Sequence, residues 1–321
     1  MSVHACQLSL LPDPTAPSLR QVADAVREAH IDGLPAARRL ADQARYQDVH
    51  ARSALTKVQA SNMPFRWALN PYRGCTHACQ YCYARKYQWH LELGAGDDFS
   101  SVILVKTNLP EVLARELARR TWARETVAIG TATDPYQPIE GHYRLTRRAI
   151  EVLTAARTPF SIVTKGPLVV RDRDVLAAAS RVVPCHVYVS VPSVDEDAWA
   201  RLEPGTAPPA QRLRAVRQLT DAGIDAGVLM MPLVPGITTS RAIVERTLRA
   251  IADAGARFVG ANVARFEDGA RQHFFAFLDR EYPALADGYR RLYARGPAQS
   301  GYVNEINAMV QAAAARLGMT E

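Results

Sequence analysis

Residues 70–84 read Asn-Pro-Tyr-Arg-Gly-Cys75-Thr-His-Ala-Cys79-Gln-Tyr-Cys82-Tyr-Ala, which places three thiols in eight residues as Cys-x3-Cys-x2-Cys. Thiolates on one short loop reach three irons of a cubane and leave the fourth iron without a protein ligand. Cysteine thiolate is the usual ligand of such clusters, and an open position on a metal admits an outside ligand. The competing chemistry is a tetrahedral zinc with His77, His90 or Cys185 as fourth ligand. Structural zinc usually pairs two Cys-x2-Cys elements across a spacer, and no second pair is present. Cys6 and Cys185 stand alone, so the five cysteines do not spell a disulfide framework. A metal or redox site in a reducing compartment is the better expectation.

A second group of polar residues is defined by position. Short β-branched runs at 66–70, 127–133, 160–165, 186–191, 226–231 and 258–265 alternate with amphipathic stretches at 147–157, 172–181, 210–222 and 240–254. A further strand at 102–106 and a helix at 110–120 are inserted early, and 303–317 reads as a terminal helix. Near-continuous apolar strands alternating with helices predict a parallel sheet covered on its outer face. Asn70, Thr133 with Asp134, Lys165, Ser190, and Asn262 with Arg265 fall at or just past the ends of these strands. In α/β barrels that edge carries the active site, because the βα loops converge there. Cys185 stands before its strand, at the other end.

The fold class expected is therefore α/β, a partial TIM-type (β/α)6 barrel with an N-terminal helical extension and a C-terminal helix. Residues 1–60, rich in Arg and Ala, read as the helical or irregular extension, and 61–321 as the barrel with its closing helix. The chain is 48% apolar and 22% charged, as ordinary globular proteins are. Its longest apolar run, 228–234, contains Pro232 and is far shorter than the ~20 residues a bilayer needs. The N-terminus lacks a basic and apolar leader, so a cytoplasmic location is expected. The formal charge is +7, with Lys only at 57, 86, 106 and 165 and Arg supplying the rest. That balance suits an anionic partner, and equally suits a solvated arginine-rich surface.

Cys-x3-Cys-x2-Cys with an aromatic before the last Cys is similar to the signature of the radical S-adenosylmethionine (SAM) superfamily. GTATDPYQPIE (130–140), YRLTRRAIEVL (143–153), SIVTKG (161–166), VSVPS (189–193), RLEP (201–204) and MMPLVPGI (230–237) resemble its spore photoproduct lyase branch. The likeness covers roughly 65–285. It implies a [4Fe–4S] cluster on Cys75, Cys79 and Cys82 that cleaves SAM reductively to a 5′-deoxyadenosyl radical, which takes hydrogen from a substrate. It implies further that Tyr81 and Tyr83 lie near the adenine, and that Thr133 and Asp134 meet the methionyl amino group and ribose. Lys165 would meet the SAM carboxylate and Ser190 the ribose, with an external electron donor of flavodoxin or ferredoxin type. Lyases of this branch carry a hydrogen-donor cysteine three residues before the aspartate matched by Asp134; here that residue is Thr131. An O–H bond is much stronger than S–H, so the expectation is a lyase-like enzyme that is not a repair lyase. A small-molecule or nucleotide-type substrate is expected. A nucleic-acid-directed lyase or modification enzyme is the alternative, and a non-catalytic zinc nucleic-acid-binding module is a reading of another class.

Overall fold

Val127, Ala128 and Ile129 are all fully buried, as a strand covered on both faces requires. They form one strand of the computed structural model, which describes residues 40–60, 63–91, 96–266 and 269–319. The chain begins with β1 (Arg45–Val49), β2 (Leu55–Lys57), β3 (Trp67–Leu69), β4 (Tyr72–Arg73) and β5 (Val102–Lys106). It continues through α1 (Leu109–Leu117), β6 (Val127–Ile129), α2 (Leu145–Ala155), β7 (Phe160–Thr164), α3 (Arg173–Ala179) and β8 (Cys185–Ser190). Then come α4 (Glu196–Leu202), α5 (Pro209–Asp221), β9 (Asp225–Leu233), α6 (Arg241–Asp253) and β10 (Val259–Val263). Three helices, α7 (Ala270–Glu281), α8 (Pro283–Leu292) and α9 (Ser300–Arg316), close the described chain.

The main sheet has the order β10-β9-β8-β7-β6-β3-β2. From β3 to β10 all neighbours are parallel, and β2 lies antiparallel on β3. Parallel neighbours need crossovers, and here each returns through at least one helix, so six strands end on one edge. This is the open (β/α)6 barrel expected from the alternating pattern. The helices turn apolar stripes inward: Leu145, Ala149, Ile150 and Leu153 of α2 are buried, as are Val244, Leu248 and Ile251 of α6. Ser240 caps α6 by accepting from the Ile243 amide, and Asp195 caps α4 through Ala198.

Several expectations change in the structure. The second barrel strand ends at Ile129 rather than at 133, because Gly130 takes φ +89° and turns the chain into a loop. Thr133 and Asp134 therefore sit in the βα loop, not in the strand. The strand at 102–106 belongs to a separate sheet of order β1-β5-β4 and not to the barrel. Within the segment 1–60, assigned to a helical or irregular extension, residues 45–49 and 55–57 are strands, and they pair with β5 and β3. The described part of that segment is thus continuous with the sheets; residues 1–39 lie outside the described residues. No helix among the described residues is long and apolar enough to cross a membrane.

Candidate active site

The cysteine loop leaves β3 through Asn70 and β4, and the fold grips its backbone from several sides. Gly74 adopts φ +83°, and a Cβ there would stand 2.5 Å from the Val102 carbonyl oxygen. Gly205 comes in from the β8 side, where a Cβ would be 2.1 Å from the Thr76 carbonyl oxygen. Its amide donates to the His77 carbonyl at 3.1 Å, and the Gln80 amide donates to Leu202 at 2.9 Å. The Thr133 hydroxyl donates to the Gly74 carbonyl at 2.6 Å, and the Thr76 amide donates to Gln137 Oε1 at 3.1 Å. The Arg85 guanidinium, buried under the loop, donates to the carbonyls of Ala78 and Cys79 at 3.1 Å each. Such a loop has few unsatisfied backbone groups and little freedom to collapse.

Cys75 and Cys79 are buried and Cys82 is partly exposed. Burial pushes the Cys75 thiol well up, with the charges of Asp134, Cys79 and Cys82 adding to it. Burial pushes Cys79 up to about 12, partly offset by Lys165. Cys82 is also raised by burial, against the pull of Arg85. The three thiols therefore feel one another in a desolvated setting, where thiolates persist only against a cationic partner. A cluster of irons supplies that charge, so the donor set fits the cubane. No three His, Cys, Asp or Glu side chains among the described residues are grouped around a single metal ion; a cubane instead asks for one thiolate per iron. Cys185 opens β8 opposite Phe160, at the N-terminal edge of the sheet and away from the loop. The His90 side chain lies outside the described residues.

Asp134 ties the loop to the strand ends. Its Oδ1 accepts from the Tyr136 amide at 2.9 Å and the Thr164 hydroxyl at 2.6 Å, and its Oδ2 from the Lys165 amide at 2.6 Å. His77 Nδ1 stands 3.2 Å from Oδ2. Burial opposes the carboxylate's charge, but His77, Thr164 and the Lys165 amide hold it down to about 2.

Lys165 follows β7 and Ser190 ends β8, and the two meet: Nζ donates to Ser190 Oγ at 2.9 Å. Ser190 Oγ donates in turn to the Met231 carbonyl at 3.0 Å. Behind them lies Glu203, only 3% exposed. It accepts from Tyr81 OH and from the fully buried Arg212, and stands 3.8 Å from Lys165 Nζ. Arg212 also donates to the carbonyls of Ser190 at 2.9 Å and Ala207 at 2.8 Å. Desolvation works against Glu203, yet Arg212 and Lys165 hold its carboxyl below the usual range. Two cations thus share one carboxylate, leaving one positive charge at the C-terminal edge of β7 and β8.

The structure brings Cys75, Cys79, Cys82, Tyr81, Thr133, Asp134, Lys165 and Ser190 to that one edge. Tyr81 is buried with Lys165 Nζ 5.7 Å from its ring centre, whereas Tyr83 is 45% exposed and donates to the Thr131 carbonyl. Asn262 lies within β10, and Arg265 beyond it is exposed. Glu203, Arg212, Gln137 and Arg85 were not singled out from sequence, although Glu203 lies inside the quoted RLEP and Arg85 directly follows the cysteine segment. Gln137 lies inside the quoted GTATDPYQPIE as well, and what sets all four apart is burial, which the sequence does not display.

A family model described as the radical SAM superfamily matches residues 69–246. The chain is 40% identical over 288 residues to an uncharacterized protein of Mycobacterium tuberculosis, covering 89% of this chain and 82% of that one. An uncharacterized protein of Methanocaldococcus jannaschii is 27% identical over 57% of this chain and 66% of its own length. Among solved structures, a spore photoproduct lyase mutant with bound AdoMet and dinucleoside spore photoproduct superposes with TM-score 0.66. It is 17% identical and covers 96% of this chain and 85% of its own. Another mutant of that lyase gives 0.67 with 96% of both chains covered. The likeness is one of fold.

Proposed function

The chain belongs to the radical SAM superfamily, and within it we propose an enzyme that holds a [4Fe–4S] cluster on Cys75, Cys79 and Cys82. Bound there, the cluster and SAM would together supply a 5′-deoxyadenosyl radical able to take a hydrogen atom from substrate. The residues present serve that chemistry by binding and orientation. The ammonium of Lys165, steadied by Ser190 and sharing the Glu203 carboxylate with Arg212, suits a further carboxylate in a desolvated site. The Ser190 hydroxyl lies at the same strand end for a ribose. Tyr81 walls the pocket with its hydroxyl committed to Glu203, and Tyr83 offers a more exposed ring beside it. Thr133 and Asp134 spend their polar atoms inside the chain, on Gly74, His77 and the end of β7. In this reading they act by fixing the loop and the Lys165 backbone next to SAM.

The observation that carries the reading is the tricysteine loop, pinned over the same sheet edge that carries Lys165. A donor of flavodoxin or ferredoxin type would deliver the electron. The substrate class that fits is a small-molecule or nucleotide-type compound. The lyase whose structures share the fold was solved with a dinucleoside photoproduct, but Thr131 stands here where its branch carries the donor thiol. The test is anaerobic reconstitution with iron and sulfide, then dithionite and SAM, with 5′-deoxyadenosine measured by chromatography. Brown protein that forms 5′-deoxyadenosine, with both properties lost in Cys79→Ala, is the expected result. A colourless zinc protein that forms none would overturn the reading.

A further inference from the structure

Strands β4 and β5 of the small sheet carry two cations that the proposed chemistry does not use. Residues of one strand alternate faces, and the register pairs Tyr72 with Val105 and Arg73 with Leu104. Tyr72, Val105 and Ile103 pack into one apolar cluster. Arg73 and Lys106 therefore share the opposite face. The Lys106 ammonium donates to the Asn70 carbonyl at 2.8 Å, directly past the end of β3. The Asn70 side chain in turn brackets the turn after β6: its Nδ2 donates to Thr131 Oγ1 at 3.3 Å, and its Oδ1 accepts from Ala132 N at 2.8 Å. Both cations are thus fixed at the rim of the barrel mouth, on the side of β3 and β6.

Neither cation has an acidic partner among the described residues. Burial and the nearby charge of Arg73 push Lys106 down to about 8. The Arg73 guanidinium donates to the Tyr87 carbonyl, while its Nε is buried with no hydrogen-bond partner. Two neighbouring like charges, one largely buried at Lys106 and one half-buried at Arg73, oppose folding when no counter-ion stands between them. An incoming anion recovers that energy through charge-assisted hydrogen bonds. On the same rim, Tyr83 and Tyr87 are 45% and 37% exposed and meet edge to face at 6.5 Å. Exposed aromatic rings beside a cation pair are what a nucleobase and its phosphate require.

We propose that Arg73 and Lys106 form a phosphate-binding subsite at the barrel mouth, which holds a phosphate of a nucleotide-type substrate. The proposal rests on the radical SAM reading for its substrate, and it is tested without radical chemistry. The anaerobically reconstituted protein is titrated with a short fluorescein-labelled single-stranded oligonucleotide at several salt concentrations, with AMP as competitor. Lys106→Met and Arg73→Gln should each weaken binding about tenfold and reduce the salt slope by about one, whereas Lys106→Arg should bind like the parent. Displacement by AMP at similar affinity identifies a free nucleotide as the source of the phosphate; oligonucleotide binding that AMP does not displace identifies nucleic acid. Parent protein that binds neither probe, or variants that bind both as the parent does, would overturn the subsite. So would Lys106→Met that loses only SAM affinity. If Arg73→Gln disturbs the neighbouring cysteine loop, as iron content would reveal, the two Lys106 variants decide. Lys106-dependent phosphate binding in a protein that forms no 5′-deoxyadenosine would sink the functional reading and leave the subsite standing.

Discussion

Glu203 meets Tyr81, Arg212 and Lys165 at once, and all four charges and dipoles are largely out of water. Removing one member of a buried ion pair strands the other, at a cost of about 3–5 kcal/mol. Glu203→Gln and Arg212→Met should therefore each lower stability by that order in urea unfolding. The double variant should cost less than the two together, by a coupling of about 1–3 kcal/mol. Additive losses would show that Arg212 is held by the Ser190 and Ala207 carbonyls and needs no carboxylate. The same residues explain what sequence could and could not reveal. The cysteine loop was legible because its three thiols lie in eight consecutive residues. Glu203 was not, since its partners Tyr81 and Arg212 stand 122 and 9 residues away and meet only in the fold.

At the scale of elements, the six barrel strands were legible as apolar runs between helical stretches, and their order followed from parallel crossovers. Their ends were not, because Gly130 stops β6 four residues early and hands Thr133 and Asp134 to a loop. β1 was hidden as well: Arg-Tyr-Gln-Asp-Val has no apolar alternation, and its strand exists only through pairing with β5. The contact between Gly205 and the cysteine loop is a case where packing alone sets the geometry. A methyl at 205 would overlap the Thr76 carbonyl oxygen at 2.1 Å, and overpacking of that kind typically costs about 1–3 kcal/mol. Gly205→Ala should thus push the loop away from α4 and lower the iron and sulfide bound per protein after reconstitution. Gly288→Ala, inside α8 with nothing near its Cβ position, is the control and should bind iron normally. Equal iron content in both variants would mean that the loop tolerates displacement, and that Gln137, Thr133 and Arg85 suffice to place the thiols.

For the whole molecule, the proposed cluster would couple to the fold through its three thiols. The loop lies close against Val102 of β5, and is held from the β6 loop through Thr133 and Gln137 and from the β8 side through Gly205. A ligand that binds only the folded loop stabilises everything that shapes it, by mass action, and metal binding by deprotonated thiols is folding free energy in the same sense. In the free protein burial raises all three thiols, Cys79 to about 12, so their charged forms are disfavoured and contribute little to the loop. The reconstituted protein should therefore melt several degrees above the metal-free protein in anaerobic calorimetry. Cys75→Ala, Cys79→Ala and Cys82→Ala should each abolish that difference. Cys185→Ala should lower both melting temperatures together, as a small cavity at the far edge of the sheet would, and leave the difference intact. A difference that survives loss of Cys79 but vanishes with Cys185 would place the metal at the wrong end of the barrel. The sequence placed Cys185 before its strand and the other three after theirs, and direction along a parallel sheet turns that order into opposite ends of the molecule.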